Sequence, residues 1–254
     1  RLSYGMDFSV SEYEVHTHPY YGNPTSASYG KGAYNYSKPT YKDSSVDAVA
    51  GYNNDWGKFS FSAQVGYHQK ENAVDRVAIY GSQFQVIDFY SIANCDPSTW
   101  QISTTHTKRR IQALSAQVGF GWNNMAFLTA RARNDWSSTL PKNNNHYFYP
   151  AVEASFVATE LPFLRNSDAV SYLKLRGAIA QVGKDASPLS IYPSLEATGD
   201  LGGGFRYGYT GPNETLKPEM TTSTEIGFEG RFLNDRINTD FTYYWTRCEN
   251  QYVT

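Results

Sequence analysis

The most constraining feature of this chain is period-two alternation sustained over runs of about ten residues. Leu2, Tyr4, Met6, Phe8 and Val10 alternate with Ser3, Gly5, Asp7 and Ser9. Phe59, Phe61, Ala63, Val65 and Tyr67 alternate with Ser60, Ser62, Gln64, Gly66 and His68. Leu114, Ala116, Val118, Phe120 and Trp122 do the same, followed at once by Ala126, Leu128, Ala130 and Ala132. With Val46–Tyr52, Phe148–Phe156, Leu173–Ile179, Thr224–Phe232 and Ile237–Trp245, the pattern predicts about nine strands. Globular strands usually run about five or six residues. A strand that crosses a bilayer needs about 9–11, and these runs approach that length.

The connections alternate in length. Long stretches lie at Glu12–Asp43, Gln69–Lys108, Asp135–His146 and Gly183–Pro218. Tight turns are expected at Asn54–Gly57, Asn123–Asn124 and Asn234–Arg236. Thr159–Ser171 should be short under this parity but is moderate, with room for one helical turn. Short turns at one rim and long loops at the other characterise bacterial outer-membrane barrels. Tyr supplies 21 positions. Tyr4, Tyr52, Tyr67, Trp122 and Trp245 fall near strand ends, where an interfacial aromatic girdle would sit. The mean hydropathy of −0.54 does not oppose this reading, because alternation keeps the average of a barrel low.

Alternation alone leaves open which solvent the apolar rows meet, since a soluble antiparallel sheet also has one apolar face. The expected architecture is all-β, an antiparallel transmembrane β-barrel, with a soluble carbohydrate-binding β-sandwich as the alternative. Opposite the apolar rows stand Arg131, Arg133, Glu153, Lys174, Arg176, Glu225, Glu229, Arg231 and Asp240. In a membrane barrel these are the candidate lumen-facing residues, above all Arg131, Arg133, Arg176, Glu225 and Glu229. Charges of both signs imply a wide polar interior, because a narrow packed core tolerates few of them.

Four stretches carry a family resemblance. They are Arg131–Ser138 with Tyr147–Pro150, then Leu173–Gly183, then Asn213–Gly227, and last Asn234–Tyr244. In order and spacing they resemble "R-x-D-x-S-S … F-P-S", "L-K-L-R … G-x-x-G-N", "N-x-x-L-K-P-E-x-T-x-x-x-E-I-G" and "N-x-R-x-x-x-x-x-x-Y-Y" of the SusC/RagA class of TonB-dependent transporters from Bacteroidetes. The resemblance covers roughly residues 109–247. It implies a plugged barrel in the bacterial outer membrane, nutrient uptake by import of oligosaccharides or peptides, a SusD-like surface lipoprotein as partner, and energy relayed by the TonB complex through parts outside this sequence. Such barrels have about 22 strands, and bacterial barrels are even-numbered. Residues 1–254 are therefore expected to form part of one transmembrane β-barrel domain, with plug, signal peptide and closing strands absent. A non-transporting outer-membrane adhesin or structural barrel is the runner-up.

Other chemistry is thin. A net charge of −2 opposes nucleic-acid binding. The five histidines are scattered, and no G-x-S-x-G elbow offers a nucleophile, so no enzyme and no cofactor are expected. His16 and His18 form an H-x-H pair without a third metal ligand, and a solvated loop is the plainer reading. Gly202–Gly204 lacks the Lys-Ser/Thr and helix of a phosphate cradle and reads as a flexible loop. Cys95 and Cys248 fit neither a disulfide framework nor a zinc spacing. Tyr20, Tyr21, Tyr29, Tyr34 and Tyr36 crowd the first long connection, and Tyr207 and Tyr209 flank Gly208 in the last. Aromatic faces suit sugar stacking, so Tyr20, Tyr21, Tyr207 and Tyr209 are candidate substrate or partner contacts. Packing between loops is the alternative.

Overall fold

The computed structural model describes residues 1–22, 24, 30–165, 167, 169–193, 195–198, 203–208 and 213–252. Among the described residues twelve strands form: β1 (Leu2–Val10), β2 (Tyr13–Thr17), β3 (Ala33–Trp56), β4 (Phe59–Ser82), β5 (Gln101–Trp122), β6 (Ala126–Ser137), β7 (His146–Val157), β8 (Val170–Lys184), β9 (Leu195–Thr198), β10 (Gly204–Tyr207), β11 (Glu219–Phe232) and β12 (Ile237–Glu249). One sheet follows the order β1-β3-β4-β5-β6-β7-β8-β11-β12, with β2 added on β3, while β9 and β10 pair only with each other. The nine strands on the main path are those read from alternation. Contacts divide the chain into two compact units: Arg1–Tyr4, Val46–Gln69 and Arg110–Thr254 form the first, Gly5–Ser45 and Lys70–Arg109 the second.

In the first unit the register aligns the alternating runs into continuous rows. Phe120 faces Leu128, and Leu128 faces Ala154. Val152 faces Ile179, which faces Thr224, which faces Trp245. Leu175 faces Phe228, which faces Phe241. Leu114, Phe120, Leu175, Ile179, Ile226 and Phe241 are all about half exposed or more. A β-sandwich would bury such rows against a second sheet. A contiguous exposed apolar face this large belongs against hydrocarbon, so the sandwich alternative is set aside.

The tight turns sit where the sequence places them, with local adjustments. Asn123 and Asn124 both have positive φ (52° and 54°), the left-handed pair that closes a two-residue hairpin and that asparagine tolerates best after glycine. The Asn123 N–H donates to the Lys58 carbonyl at 2.6 Å, tying neighbouring hairpins together. The expected turn at Asn54–Gly57 is shorter: β3 continues through Trp56, and Gly57 at φ 62° reverses the chain. A left-handed run at Leu233, Asn234 and Asp235 joins β11 to β12, one residue earlier than expected. The moderate β7–β8 link holds the anticipated helical turn, a 3-10 segment at Ala158–Glu160.

The larger correction concerns the long connections. Glu12–Asp43 and Gln69–Lys108 read as loops, yet about half of their residues are strand: β3, β4 and β5 run for 24, 24 and 22 residues. That is more than twice the bilayer requirement. Lys38, Tyr41, Lys42 and Asp43 on β3, and Lys70, Glu71, Asp75 and Arg76 on β4, put polar groups on both faces, which erases the alternation signal. Between β4 and β5 the second unit has its own small centre. Buried Asn94 donates through Nδ2 to the carbonyls of Val86 (2.7 Å) and Phe89 (2.5 Å) and accepts from the Val86 N–H (2.9 Å). Cys95 is wholly buried beside Gly81, and desolvation raises its thiol pKa, so it is a packing residue. Asp96 caps the 3-10 turn Pro97–Thr99 by accepting from the Ser98 N–H at 2.9 Å.

Two predictions follow from these rows and this cap. Leu128→Lys, on the apolar row, should cost about 2–4 kcal/mol of folding free energy in vesicles, whereas Gln117→Lys on the opposite face should cost under about 1 kcal/mol. Urea titration of the vesicle-folded protein reads both; equal costs would contradict the assignment of faces. The Ser98 backbone bond depresses the Asp96 carboxyl. The stability it lends is therefore present above the ordinary aspartate range and lost as pH falls through the depressed value. Amide exchange at Ser98 and Thr99 should accelerate below about pH 4, and Asp96→Asn should remove that pH dependence.

Candidate functional site

The face opposite the apolar rows carries the charges, and the same register arranges them in ranks across β6, β7, β8, β11 and β12. One rank is Thr129, Glu153, Ala178, Glu225 and Tyr244. The next has Phe127, Ser155, Arg176, Gly227 and Thr242. Beyond it stand Lys174, Glu229 and Asp240. All five residues singled out as Arg131, Arg133, Arg176, Glu225 and Glu229 fall on this face.

Most are held by neighbours. Arg131 donates through Nε to Gln117 Oε1 (2.8 Å) and through Nη1 to Glu153 Oε2 (2.7 Å). Arg133 pairs with Asp135 at 2.6 Å, and Asp135 is buried. Arg176 reaches over β11 to Asp240 Oδ1 (2.5 Å) and Thr242 Oγ1 (2.6 Å) on β12. It can do so because the residue beneath it is Gly227: a Cβ there would lie 2.6 Å from the Phe241 carbonyl oxygen and 3.1 Å from Arg176 Nε. Arg231 lies over the Tyr172 ring at 5.1 Å and contacts Glu229 at 3.4 Å. The exposed pairs Arg131–Glu153 and Arg176–Asp240 add little stability, so their effect is to fix orientation.

Small residues at 177 and 178 leave a groove of about 270 Å³, its polar side formed by Thr129, Glu153, Lys174, Arg176, Glu225 and Thr242. With Ser155, two cations, two anions and three hydroxyls line it. Such a surface can hydrogen-bond a polar molecule in many orientations. No group of three or more His, Cys, Asp or Glu that could hold a metal occurs among the described residues. Sequence reasoning missed Thr129, Gly227 and Thr242, which become visible only through cross-strand register.

A second cluster gathers three of the family-like stretches. Buried Asp185 accepts from the Ser137 hydroxyl and from Thr139 Oγ1 (2.9 Å). Beside it Leu140, Tyr147 and Ala186 form a small core with Tyr149, Leu216, Met220 and Tyr252. Tyr252 donates its hydroxyl to the Lys217 carbonyl (2.9 Å) and its N–H to Glu219 (2.7 Å). Gly183 gives Tyr147 its place, since a Cβ would lie 2.3 Å from the ring. These residues staple connections to one another, a structural role.

The tyrosines divide. Tyr20, Tyr21 and Tyr207 are well exposed, while Tyr209 and Tyr29 lie outside the described residues. Tyr34 and Tyr36 are on strand β3 rather than in a loop. His16 lies on β2, stacked on Tyr90 at 4.6 Å and bonded to Glu14 at 2.8 Å; His18 contacts Asp88 at 3.4 Å. His16 is thus an exposed strand residue rather than a loop residue, and His18 follows just after the strand. Of the glycine run, Gly202 lies outside the described residues, Gly203 is outside any strand with φ 70°, and Gly204 begins β10, which pairs antiparallel with β9.

Comparison with known proteins fits this geometry. Residues 1–254 match the family described as "TonB dependent receptor-like, beta-barrel". "TonB-dependent receptor P26" of Formosa agariphila is 23% identical over 217 residues, covering 79% of this chain and 22% of that protein. "TonB-dependent receptor SusC" of Bacteroides thetaiotaomicron is 27% identical over 153 residues, 57% of this chain and 15% of that protein. Among solved structures, "Structure of the RagAB peptide transporter" superposes with a TM-score of 0.83 over 97% of this chain and 28% of that one, at 16% identity, which shows the fold.

Gly227→Val should force β11 and β12 apart and cost about 1–3 kcal/mol. Arg176→Met, which removes only the exposed pair, should cost about 0–1 kcal/mol. Denaturation midpoints of the two variants check this; equal losses would mean that Gly227 does not serve the close approach.

Proposed function

This chain belongs to the TonB-dependent receptor-like β-barrel family, and from that premise we propose that it forms part of the wall of an outer-membrane transporter importing oligosaccharides, with peptides as the alternative cargo. The family resides in the outer membrane, where the exposed apolar rows find their solvent. The chain spans 22% and 15% of the two relatives named above, so the transport cycle is a property of the longer protein. Residues 1–254 contribute to one barrel domain under this reading.

The observation that carries the proposal is the two-faced sheet: apolar rows on one side and, in the same register, the charged ranks on the other. Arg131, Arg133, Arg176, Glu225 and Glu229 then face a polar lumen past which solutes move. Exposed Tyr20, Tyr21 and Tyr207 favour sugars, which stack on aromatic faces. The mixed charges of the groove, and the likeness to a structure described as a peptide transporter, favour peptides. A SusD-like lipoprotein completes the binding surface on the outside, and the TonB complex drives release through parts beyond these residues.

The test is uptake by cells that carry or lack the gene, with labelled oligosaccharides and labelled peptides supplied separately. Uptake that needs both this gene and a functional TonB complex supports the proposal, and the label that enters names the cargo. Unchanged uptake of every label would favour the adhesin or structural barrel. Combined Tyr207→Ala and Tyr209→Ala should reduce entry several-fold if that loop receives substrate; unchanged entry removes the loop from the path.

A further inference from the structure

The second unit contains a groove of about 450 Å³ that the expectations above do not include. Tyr13, Asn35, Ser37, Tyr41, Arg76 and Thr105 line it, over a floor that includes Pro39 and Val74. From Asn35 to Tyr41 along β3 it extends about 20 Å, at about 3.3 Å per residue. Tyr13 and Tyr41 are both about half exposed.

Arg76 sets its chemistry. Nε donates to the hydroxyl of buried Ser37 at 2.8 Å, which orients the guanidinium. Among the described residues no carboxylate pairs with Arg76, whereas Arg131, Arg133, Arg165, Arg176, Arg231 and Arg247 each hold one. The alternation of β2 explains the lack of competition. Tyr13 and Val15 line the groove, while Glu14 between them is on the other face, bonded to His16 at 2.8 Å. Asp75, next to Arg76, is likewise on the other face, paired with His106.

We propose that this groove binds an anionic oligosaccharide, with Arg76 taking a carboxylate or sulfate group and Tyr13 and Tyr41 stacking against sugar rings. A planar guanidinium whose terminal nitrogens have no hydrogen-bond partner among the described residues matches an oxyanion bidentately. The two aromatic faces and the Asn35 and Thr105 side chains supply the apolar and hydrogen-bonding contacts that sugars need. An acidic peptide would satisfy the arginine but would leave the spaced aromatic faces without flat partners. This inference rests on the import reading and narrows its substrate class.

The experiment uses the full-length transporter in detergent and measures binding calorimetrically. The probes are an oligogalacturonate, its neutral methyl ester, a sulfated galactan oligosaccharide and an acidic peptide. The expected result is that at least one anionic sugar binds and that the neutral ester binds at least tenfold more weakly than the oligogalacturonate if the carboxylate is what is read. Arg76→Ala should weaken the anionic sugar by about 10- to 100-fold, and Arg76→Lys by an intermediate factor. Tyr13→Ala should weaken it without abolishing charge selectivity. The ratio between the two anionic sugars tells carboxylate from sulfate. Heat-shifted gel mobility confirms that each variant is folded, and Arg76→Lys serves where Arg76→Ala is not. The proposal is overturned if no anionic sugar binds, if Arg76 variants bind as the parent does, or if only the acidic peptide is held. TonB-dependent uptake that persists alongside such a result sinks the groove alone; loss of the transport reading shows in the uptake assay, whatever the groove binds.

Discussion

Everything in the first unit depends on one constraint: a backbone placed in hydrocarbon must satisfy every N–H and C=O internally, and only helices or closed sheets do so. The antiparallel ladders joining β5, β6, β7, β8, β11 and β12 meet that demand between neighbouring strands, and the outer edge of β12 has no partner strand among the described residues. Once the ladder is fixed, the pleat decides the rest. A one-residue slip would exchange the leucine and phenylalanine rows with the arginine and glutamate ranks, so register is strongly specified. Stability from apolar burial in a compact centre is minor here. The buried hydrophobic residues are few and gather at element ends, as Leu140, Tyr147 and Ala186 do.

The same constraint explains the family-like stretches in physical terms. Gly227 lies where Arg176 must pass from β8 to β12, and Gly183 where the Tyr147 ring must lie. Ser137 and Asp185, far apart in sequence, share a buried hydrogen bond. These positions fix the orientation of charges and the tie-down of connections. Both matter for a charged sheet face, because long charged side chains exposed on it would otherwise sample many rotamers.

Legibility in the sequence followed the number of distinct faces a strand presents. Where one face meets lipid and the other water, as at Leu114–Trp122 or Ile237–Trp245, alternation reported both the strand and its orientation. Where water lies on both sides, the signal vanished. Ala33–Asp43 and Lys70–Ser82 are strand, yet tyrosine, lysine and aspartate alternate there without an apolar row. The charged residues of the candidate site were visible one by one. Their grouping was not, because Arg176, Gly227 and Asp240 meet only across three strands. The Arg76 groove was invisible for the same reason: Tyr13, Ser37 and Arg76 come from separate strands within stretches that read as loop.

The central claim is that the apolar rows face lipid and the charged ranks face water. Spin labels on single cysteines at Leu128, Val152, Ile179 and Phe241, and at Gln117, Thr129, Ala178 and Thr242, test it most directly in the vesicle-reconstituted protein. The first set should be accessible to oxygen and shielded from a water-soluble nickel chelate, and the second set the reverse. Equal chelate access on both faces would contradict the account and return the sheet to an aqueous setting.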